Sequence, residues 1–396
     1  MRLLFIAAAA VAAYTYIGYP LLLWLRGRFA PRPWQRADIF PSVTAIMAVH
    51  NGAEQVAGKI EYLLALDYPP EKLNLIVVSD GSTDGTDDVL QRISNPRVQS
   101  FHYAPQRGKA AALNLGMRHA TGDVLLFVDV RPWPEPASLR RLVANLADPG
   151  VGCVAGELVL RNEDHAANAA AVGGLYWRHE QWLRRREALV DSPCGVYGGF
   201  YAVRRRLAVE LPEGTILDDM YQPLAIIRKG YRSVFDESAR VLDVWPRTSR
   251  GEFNRKVRTL AGNFQLLQLA PWLLKRENRV RFQLLSHKLL RLLVPALLLL
   301  MLVASGALWR DPWFAAAFFA QAGFYGLAAL GMVWQGNPLR KLTGAAAAFV
   351  MLNAAALVGF IKFVTFRGPL WQIWRATPPT SSPGQSPGRM LKNPVP

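Results

Sequence analysis

The feature that most restricts the fold of this chain is an uncharged apolar stretch near its N-terminus. Residues 3–25, LLFIAAAAVAAYTYIGYPLLLWL, carry no charged side chain. As a helix, this length crosses the hydrocarbon core of a bilayer, which is about 30 Å thick. It is too long for the apolar region of a secretory signal peptide, and arginines follow it instead of a small-residue cleavage site. These arginines are Arg26, Arg28, Arg32 and Arg36. We therefore predict a transmembrane helix at 1–26 and a cytoplasmic domain after it, because positive charge stays on the cytoplasmic side.

A second apolar region lies near the end of the chain. It divides into stretches at 292–308, 313–334 and 343–366, each long enough to span a membrane. We predict C-terminal transmembrane helices over 292–366, with the connector at Arg340 and Lys341 in the cytoplasm.

The charges beyond these stretches conflict with three crossings. Three crossings from a cytoplasmic domain place the C-terminus outside, whereas a basic tail favours the inside. The basic residues of the tail are Arg367, Arg375, Arg389 and Lys392. One stretch can instead lie in the interface, and 292–308 is the weakest span because Arg291 and Pro295 interrupt it. Residues 377–396 are rich in Pro, Ser and Gly, which predicts a disordered tail.

The net charge of +17 raises the question of nucleic-acid binding. The basic residues cluster beside the apolar stretches and form no aromatic-interleaved recognition element, so we predict membrane lipids and no nucleic acid as partners. Residues 249–291 combine basic and apolar residues at helical spacing, which favours helices on the cytoplasmic leaflet. Cys153 and Cys194 lie in no metal or redox motif and are interpreted as buried reduced thiols.

The middle of the chain, 40–248, alternates short apolar runs with helical segments. This pattern predicts an α/β domain with a mostly parallel sheet covered by helices. The predicted strands are 43–49, 73–79, 123–129 and 151–160. The predicted helices are 54–66, 84–93, 107–120, 136–147 and 166–187.

Polar motifs follow the predicted strands. In SDGSTDGT (79–86), Asp80 ends an apolar strand, and the carboxyl ends of parallel strands are where open α/β sheets bind ligands. The same sequence is also typical of a turn and helix cap. HNGAE (50–54) is equally ambiguous, and Lys109 of RGKAAALN is either a phosphate ligand or a solvated lysine in the first turn of a helix.

The order of the motifs is more informative than any one of them. It resembles that of the family 2 glycosyltransferases, and the layout is most similar to the membrane synthases of poly-N-acetylglucosamine, hyaluronan and cellulose. The motifs are HNGAE (50–54), SDGSTDGT (79–86), RGKAAALN (107–114), FVDVR (127–131), GVYGGFYAVRR (195–205), GTILDDM (214–220) and GYRSVFDESARVLD (230–243).

This resemblance implies a GT-A fold and a nucleotide-sugar donor, with a UDP-sugar as the first expectation. Asp80 then contacts the nucleoside, the backbone at His50 and Asn51 closes over the base, and Lys109 lies near the nucleoside or diphosphate. Asp129 matches the first acid of the family's D-x-D motif, which contacts ribose or metal. Asp219 matches the general base, and its neighbour Asp218 is assigned to the acceptor.

The sequence departs from the family at the D-x-D motif. Arg131 replaces the second acid, which weakens the expected Mg²⁺ or Mn²⁺ site. Arg131 neutralises the diphosphate itself, or Glu135 supplies the missing ligand, or catalysis has been lost.

A second departure affects the acceptor motif Q-x-x-R-W. RKVRTLAGN (255–263) takes its place, and only Arg258 matches. The stacking tryptophan is absent, which puts processive polymerisation in doubt. Trp374 of WRAT is similar to the family's terminal W-x-x-T segment and is assigned to the acceptor, with an interfacial tryptophan as the alternative.

These features together predict an inverting glycosyltransferase of the bacterial inner membrane with a cytoplasmic catalytic domain. The bacterial source is suggested by the high Ala and Arg content. The expected acceptor is a growing exopolysaccharide or a polyprenyl-linked glycan. The alternative is a catalytically silent subunit of a polysaccharide synthesis complex.

Overall fold

The computed structural model describes residues 1–161, 167–244, 249–334 and 339–374. The predicted tail at 377–396 lies outside the described residues. The strands are β1 (Val43–Val49), β2 (Leu73–Asp80), β3 (Val98–Tyr103), β4 (Val124–Val128), β5 (Trp133–Pro134), β6 (Val151–Arg161), β7 (Phe200–Arg204) and β8 (Arg232–Val244).

These strands form one sheet in the order β3-β2-β1-β4-β7-β6-β8-β5. The first four strands in this order, β3, β2, β1 and β4, are parallel to one another, and β6 is parallel to β8. Strand β7 is antiparallel to both β4 and β6, and the short β5 is antiparallel to β8. The predicted mostly parallel α/β sheet is confirmed, with one antiparallel strand inserted at its centre.

The helices are α1 (Arg2–Phe29), α2 (Ala53–Leu64), α3 (Thr86–Gln91), α4 (Lys109–His119), α5 (Ser138–Ala144), α6 (Ala167–Val190), α7 (Asp218–Arg228), α8 (Ser249–Leu269), α9 (Arg281–Ala307), α10 (Pro312–Val333) and α11 (Arg340–Thr365). Helix α1 contains a π-helical turn at Tyr14–Gly18, and α9 contains another at Leu284–Leu289.

Helices cover both faces of the sheet. Successive residues of β1 point to opposite faces, so Ala45 and Met47 pack with α2 and α5, whereas Ile46 packs with α4 and α7. Both faces of β1 are therefore apolar, which explains the uninterrupted apolar run VTAIMAV. The polar chemistry of the domain is left to the strand ends.

The four predicted strands are present with ends within one residue of the prediction, and four strands were missed. Strand β3 lies at the sheet edge and is half-exposed, so its residues VQSFHY show no buried run. Strand β8 carries charged residues in DESAR and a register shift opposite Gly156 and Glu157, which conceals its period. The antiparallel β7 is a short run inside a glycine-rich motif.

Four helices among the described residues are long and apolar enough to cross a membrane: α1, α9, α10 and the residues 342–365 of α11. Helix α9 has the highest mean hydropathy of the four, 2.3. It runs through Arg291 and Pro295 without a break, so these two residues do not interrupt the helix, although they were the reason to expect 292–308 to be the weakest span. Arg291 lies toward the domain end of α9, where it donates to Glu180 of α6 at 2.9 Å.

The chain returns to the α/β domain after α11. The short 3-10 helix Leu370–Trp374 follows, and Leu370 is buried in one apolar cluster with Ile216 and Leu217. The end of the described chain therefore lies against the domain. The two cysteines, Cys153 and Cys194, are both buried and free, as predicted.

Candidate active site

Asp80 ends β2 and organises the loop that leads to α4. Its carboxylate is 3% exposed and accepts hydrogen bonds from the Tyr103 hydroxyl at 2.9 Å and from the backbone N–H groups of Arg107 and Gly108 at 2.8 and 2.9 Å. A buried carboxylate needs such donors because its desolvation is otherwise costly. Asp80, for which the resemblance implies a nucleoside contact, therefore shapes the loop 103–108.

The end of β1 is joined to the same corner. His50 Nδ1 lies 2.8 Å from the backbone oxygen of Asp80. Asn51 adopts the left-handed conformation, with φ +53°, and its Oδ1 accepts from the backbone N–H of Thr83 at 2.8 Å. The two strand-end motifs are thus connected by hydrogen bonds.

The turn alternative for SDGSTDGT applies to a different aspartate, Asp84, which lies one residue before the N-cap Gly85 of α3. Asp84 accepts a hydrogen bond from the backbone N–H of Thr86 at 3.0 Å, at the start of α3. Burial alone raises the pKa of Asp84, but hydrogen bonds from Thr86 and Ala53 outweigh burial and lower it. The motif therefore contains both a turn residue, Asp84, and a separate buried residue, Asp80.

Lys109 connects the donor side of the site to the acids of α7. Its Nζ lies 3.0 Å from Asp129 Oδ1, just after β4, and 3.2 Å from Asp218 Oδ2. Burial alone lowers the pKa of Lys109, but the two carboxylates outweigh burial and raise it. The reading of Lys109 as a solvated first-turn lysine is therefore wrong, because its ammonium is ion-paired on two sides.

Asp218 and Asp219 open α7, where the helix N-terminus favours negative charge. Asp218 is 4% exposed, and burial raises its pKa. Burial and the adjacent charge of Asp218 raise the pKa of Asp219 to about 6. Gly198 leaves room for Asp219, because a Cβ there would lie 2.9 Å from the Asp219 Cβ. A carboxylate that titrates near pH 6 is suited to general-base chemistry near neutrality.

Arg131 is engaged by a residue that the sequence analysis missed. Its Nε and Nη2 donate to the two carboxylate oxygens of Asp243 at 2.9 and 2.8 Å, a bidentate pair. The Asp243 side chain is 1% exposed, and the Tyr197 hydroxyl donates to it at 3.2 Å. The positive charge of Arg131 is therefore compensated inside the protein by Asp243, a partner that none of the three sequence alternatives for Arg131 included.

A buried lysine lies behind the same segment. Lys59 of α2 donates to the backbone oxygen of Pro132, and its ammonium lies 4.8 Å from the centroid of the Trp133 ring. Burial lowers the pKa of Lys59 to about 7, although Asp129 and Asp243 oppose this effect. Lys59 lies on the apolar face of α2 with Val56, Ile60 and Leu63, so its helical spacing is a signal that the sequence reasoning missed.

The described residues do not fit a carboxylate-lined metal site. No group of three or more His, Cys, Asp or Glu side chains within the described ranges is arranged to hold a metal ion. Asp129 is paired with Lys109, and Glu135 is paired with Arg141 at 3.4 Å. The carboxylates predicted as metal ligands thus already have cationic partners.

Two further residues, Arg258 and Trp374, were predicted to bind the acceptor. Arg258 is exposed on α8, and its charge lowers the pKa of the nearby Asp218 against the larger effect of burial. The Trp374 side chain lies outside the described part of the structure. Trp371, which the sequence analysis passed over, instead contacts Gly108 and Gly214 beside the site.

Two family models match the chain over this domain and the helices after it. The model for glycosyl transferase family 2 matches residues 44–211. The model for glycosyl transferase family group 2 matches residues 132–361, more than half of the chain. The chain belongs to the family 2 glycosyl transferases. The GT-A type of fold implied by the sequence resemblance is thereby confirmed.

Named relatives agree with this assignment. The chain is 24% identical over 248 residues to poly-beta-1,6-N-acetyl-D-glucosamine synthase of Staphylococcus aureus, which covers 60% of this chain and 58% of the relative. It is 24% identical over 280 residues to the probable glycosyltransferase YdaM of Bacillus subtilis, covering 65% and 64%. The chain therefore spans less than two thirds of the length of these relatives.

A solved structure extends the likeness to most of the chain. The mannosyltransferase PcManGT from Pyrobaculum calidifontis, solved in complex with GDP-Man and Mn2+, is 26% identical with a TM-score of 0.68. The likeness covers 92% of this chain and 100% of PcManGT, so the apolar helices belong to the shared architecture.

Proposed function

We propose that this chain is an inverting membrane glycosyltransferase that moves a sugar from a nucleotide-sugar donor to a growing exopolysaccharide or a lipid-linked glycan. The observation that carries this proposal is the group formed by Lys109, Asp129, Asp218 and Asp219, which joins the end of β4 to the start of α7 through ion pairs of 3.0 and 3.2 Å. It combines a carboxylate with a raised pKa and a fixed cation in one corner of a family 2 domain.

In this mechanism Asp219 acts as the general base. Its carboxylate takes the proton of the acceptor hydroxyl while the hydroxyl oxygen attacks the anomeric carbon opposite the leaving diphosphate. The glycosidic bond forms as the bond to the diphosphate breaks, and the diphosphate keeps that electron pair. Asp218 and Arg258 hold the acceptor, together with Trp374.

The donor binds where β1, β2 and β4 end. His50, Asn51 and Asp80 receive the nucleoside, and Asp129 contacts the ribose. Lys109 stabilises the negative charge that develops on the diphosphate. Arg131 assists through Nη1, since Nε and Nη2 are occupied by Asp243, and its side chain remains 56% exposed.

We propose that activity depends on a divalent cation less than in a transferase with two acids at the D-x-D motif. Support comes from the ion pairs that occupy Asp129 and Glu135. No step above is assigned to a metal.

The identity of the donor sugar needs a direct assay. We expect a UDP-sugar, and GDP-mannose is the informative second candidate because PcManGT was solved with GDP-Man. Full-length protein in nanodiscs is incubated with UDP-GlcNAc, UDP-glucose or GDP-mannose and a membrane extract, and the products are analysed by mass spectrometry. The proposal is supported if the wild type transfers sugar from one of these donors and Asp219→Asn does not. It is contradicted if the wild type transfers sugar from none of them.

A catalytically silent subunit is the second candidate, favoured by the Arg131–Asp243 pair at the position of a usual metal ligand. Such a subunit retains its cellular role in Asp219→Asn, whereas an enzyme loses it. Complementation of polysaccharide formation in a deletion strain distinguishes the two.

We further propose that the domain faces the cytoplasm of a bacterial inner membrane and that the three C-terminal apolar helices do not all cross it. The segment Leu370–Trp374 packs against the domain, so an even number of crossings must separate α8 from Trp371. Helix α11 is the best candidate for an interface helix, because Phe360 and Phe363 pack on Phe264 of α8.

Cysteine labelling tests this topology. In a background without Cys153 and Cys194, single cysteines at Ser100 and Ser382 are both expected to react only after the membrane is permeabilised. Labelling of Ser382 alone from outside contradicts the interface assignment of α11, and labelling of Ser100 from outside contradicts the cytoplasmic domain.

A further inference from the structure

One indole near the end of the described chain contacts both loops that lead into the proposed active site. Trp371 lies in the 3-10 helix Leu370–Trp374, six residues beyond the end of α11 at Thr365. A Cβ built on Gly108 would lie 3.2 Å from Trp371 Cδ2, and one built on Gly214 would lie 3.4 Å from its Cδ1. The ring therefore packs directly on the backbone of both glycines.

Both glycines also have a backbone that disfavours any other residue. Gly108 has φ +92° and Gly214 has φ +76°, values that side chains with a Cβ rarely adopt. The absence of a side chain at each position thus permits both the loop conformation and the approach of the indole.

Each glycine belongs to a loop that leads to a helix carrying the chemistry. Gly108 directly precedes Lys109, the first residue of α4, and its N–H donates to Asp80 at 2.9 Å. Gly214 lies in the loop before Asp218, the first residue of α7. Because Lys109 and Asp218 form an ion pair of 3.2 Å, Trp371 contacts the two loops whose helices this pair joins.

The loop before α7 is held from a second direction. Gln265 of α8 donates to the Gly214 backbone oxygen at 2.9 Å and accepts from the Ile216 N–H at 3.0 Å. Helix α8 itself packs on α11, with ring centroids of Phe264 and Phe360 5.2 Å apart. Helix α11 therefore supports the loop before α7 in two ways. It packs on α8, and it leads into the segment that carries Trp371.

We infer that Trp371 is a positioning residue of the transferase, which fixes the loop 106–108 against the loop 213–217 and so maintains the spacing between Lys109 and the acid pair. The inference rests on the proposed function and concerns a residue outside the family motifs identified in the sequence. Trp371 acts through Gly108 and Gly214, and its loss misaligns donor and base together.

Hydrogen exchange and kinetics on the full chain in nanodiscs test this inference. The variants are Trp371→Ala, Trp371→Phe and the control Trp313→Ala, whose side chain is 85% exposed at the start of α10. In Trp371→Ala we expect faster exchange in both 103–109 and 213–220, with kcat/KM lowered about 10- to 100-fold, since small misplacements cost this much. Trp371→Phe restores most of kcat/KM, and Trp313→Ala matches wild type.

Faster exchange confined to residues near 371, or kinetics equal to those of Trp313→Ala, overturns the inference. If Trp371→Ala also exposes β1, it has unfolded the domain, and Trp371→Phe then decides the question. In Trp371→Phe, exchange in the two loops that stays near wild type or rises only slightly, with most of kcat/KM kept, supports the inference. A general rise in exchange, or a loss of kcat/KM without faster exchange in either loop, overturns it. Exchange needs no turnover, so a wild-type protein that transfers no sugar contradicts the proposed function without deciding the loop experiment.

Discussion

The donor corner and the base corner of the site are held together in different ways. In the donor corner, formed by His50, Asn51 and Asp80, the Asp80 carboxylate accepts hydrogen bonds from Tyr103, Arg107 and Gly108, and His50 and Asn51 bond to the turn after β2. In the base corner, Asp218 and Asp219 are adjacent acids with raised pKa values, and Lys109 compensates them only in part. Local hydrogen bonds hold the donor corner in shape without a ligand. In the base corner, burial and the adjacent carboxylate of Asp218 raise the pKa of Asp219, which suits this residue to accept a proton.

The largest effect is expected in the base corner. Asp219→Asn keeps the shape of the side chain and removes its basic oxygen, so turnover should fall about 100-fold or more while donor binding changes little. Steady-state kinetics and binding of the free nucleotide measure the two quantities. Asp218→Asn is the matched control and should be milder. Equal losses in the two variants would mean that the roles within the acid pair are wrongly assigned.

The Arg131–Asp243 pair predicts an asymmetric loss of stability. Arg131→Ala leaves the 1% exposed Asp243 carboxylate without its bidentate cation, and the free energy of unfolding should fall by about 2 kcal/mol, less than for a fully buried pair because Arg131 is 56% exposed and Tyr197 still donates to Asp243. Asp243→Asn leaves a guanidinium that reaches solvent, so the loss should be about 1 kcal/mol. Denaturant unfolding of the two variants, followed by tryptophan fluorescence, compares them. A larger loss in Asp243→Asn would show that the pair does not carry this energy.

The same pair sharpens the prediction for metal dependence. Arg131→Asp alone sets two carboxylates against each other, so it is expected to destabilise the domain without creating a useful ligand. In the double variant Arg131→Asp with Asp243→Asn, the new carboxylate at position 131 has no opposing carboxylate at position 243. We expect Mn²⁺ to stimulate the activity of this variant about tenfold more than it stimulates the wild type. Titration with EDTA and Mn²⁺ measures this difference. Loss of all wild-type activity in EDTA, with full rescue by micromolar Mn²⁺, contradicts the proposed weak dependence.

The smallest effect is expected in the donor corner. Tyr103→Phe removes one of the hydrogen bonds to Asp80, but the N–H groups of Arg107 and Gly108 remain. Because a single hydrogen bond contributes about 1 kcal/mol net, donor affinity should weaken by no more than about fivefold. Isothermal titration with UDP or GDP checks this value. A loss as large as that of Asp219→Asn would erase the distinction between the two corners.

The sequence indicated the short-range contacts of the site better than its long-range ones, for a physical reason. Asp80 and His50 follow uninterrupted apolar strands, and their hydrogen bonds join motifs that are adjacent in chain order and in the sheet. The partnership of Arg131 with Asp243 joins positions 112 apart. The contact of Gly108 with Trp371 requires the chain to return from the apolar helices. No local pattern encodes such contacts, although Asp243 ends a motif that the resemblance had already singled out.

The pH dependence of kcat/KM tests the assignment of Asp219 as the general base. Asp219 must be deprotonated to accept a proton, and its pKa is raised to about 6 by burial and by the charge of Asp218. Activity should therefore be full above this pH and fall as pH drops through about 6. Asp218→Asn removes a negative neighbour and should move this acid limb to lower pH. Arg184→Gln removes a charge that lowers the pKa of Asp219 and should move it to higher pH. An acid limb that is absent between pH 5 and pH 8, or that stays in place in both variants, would show that Asp219 is not the general base.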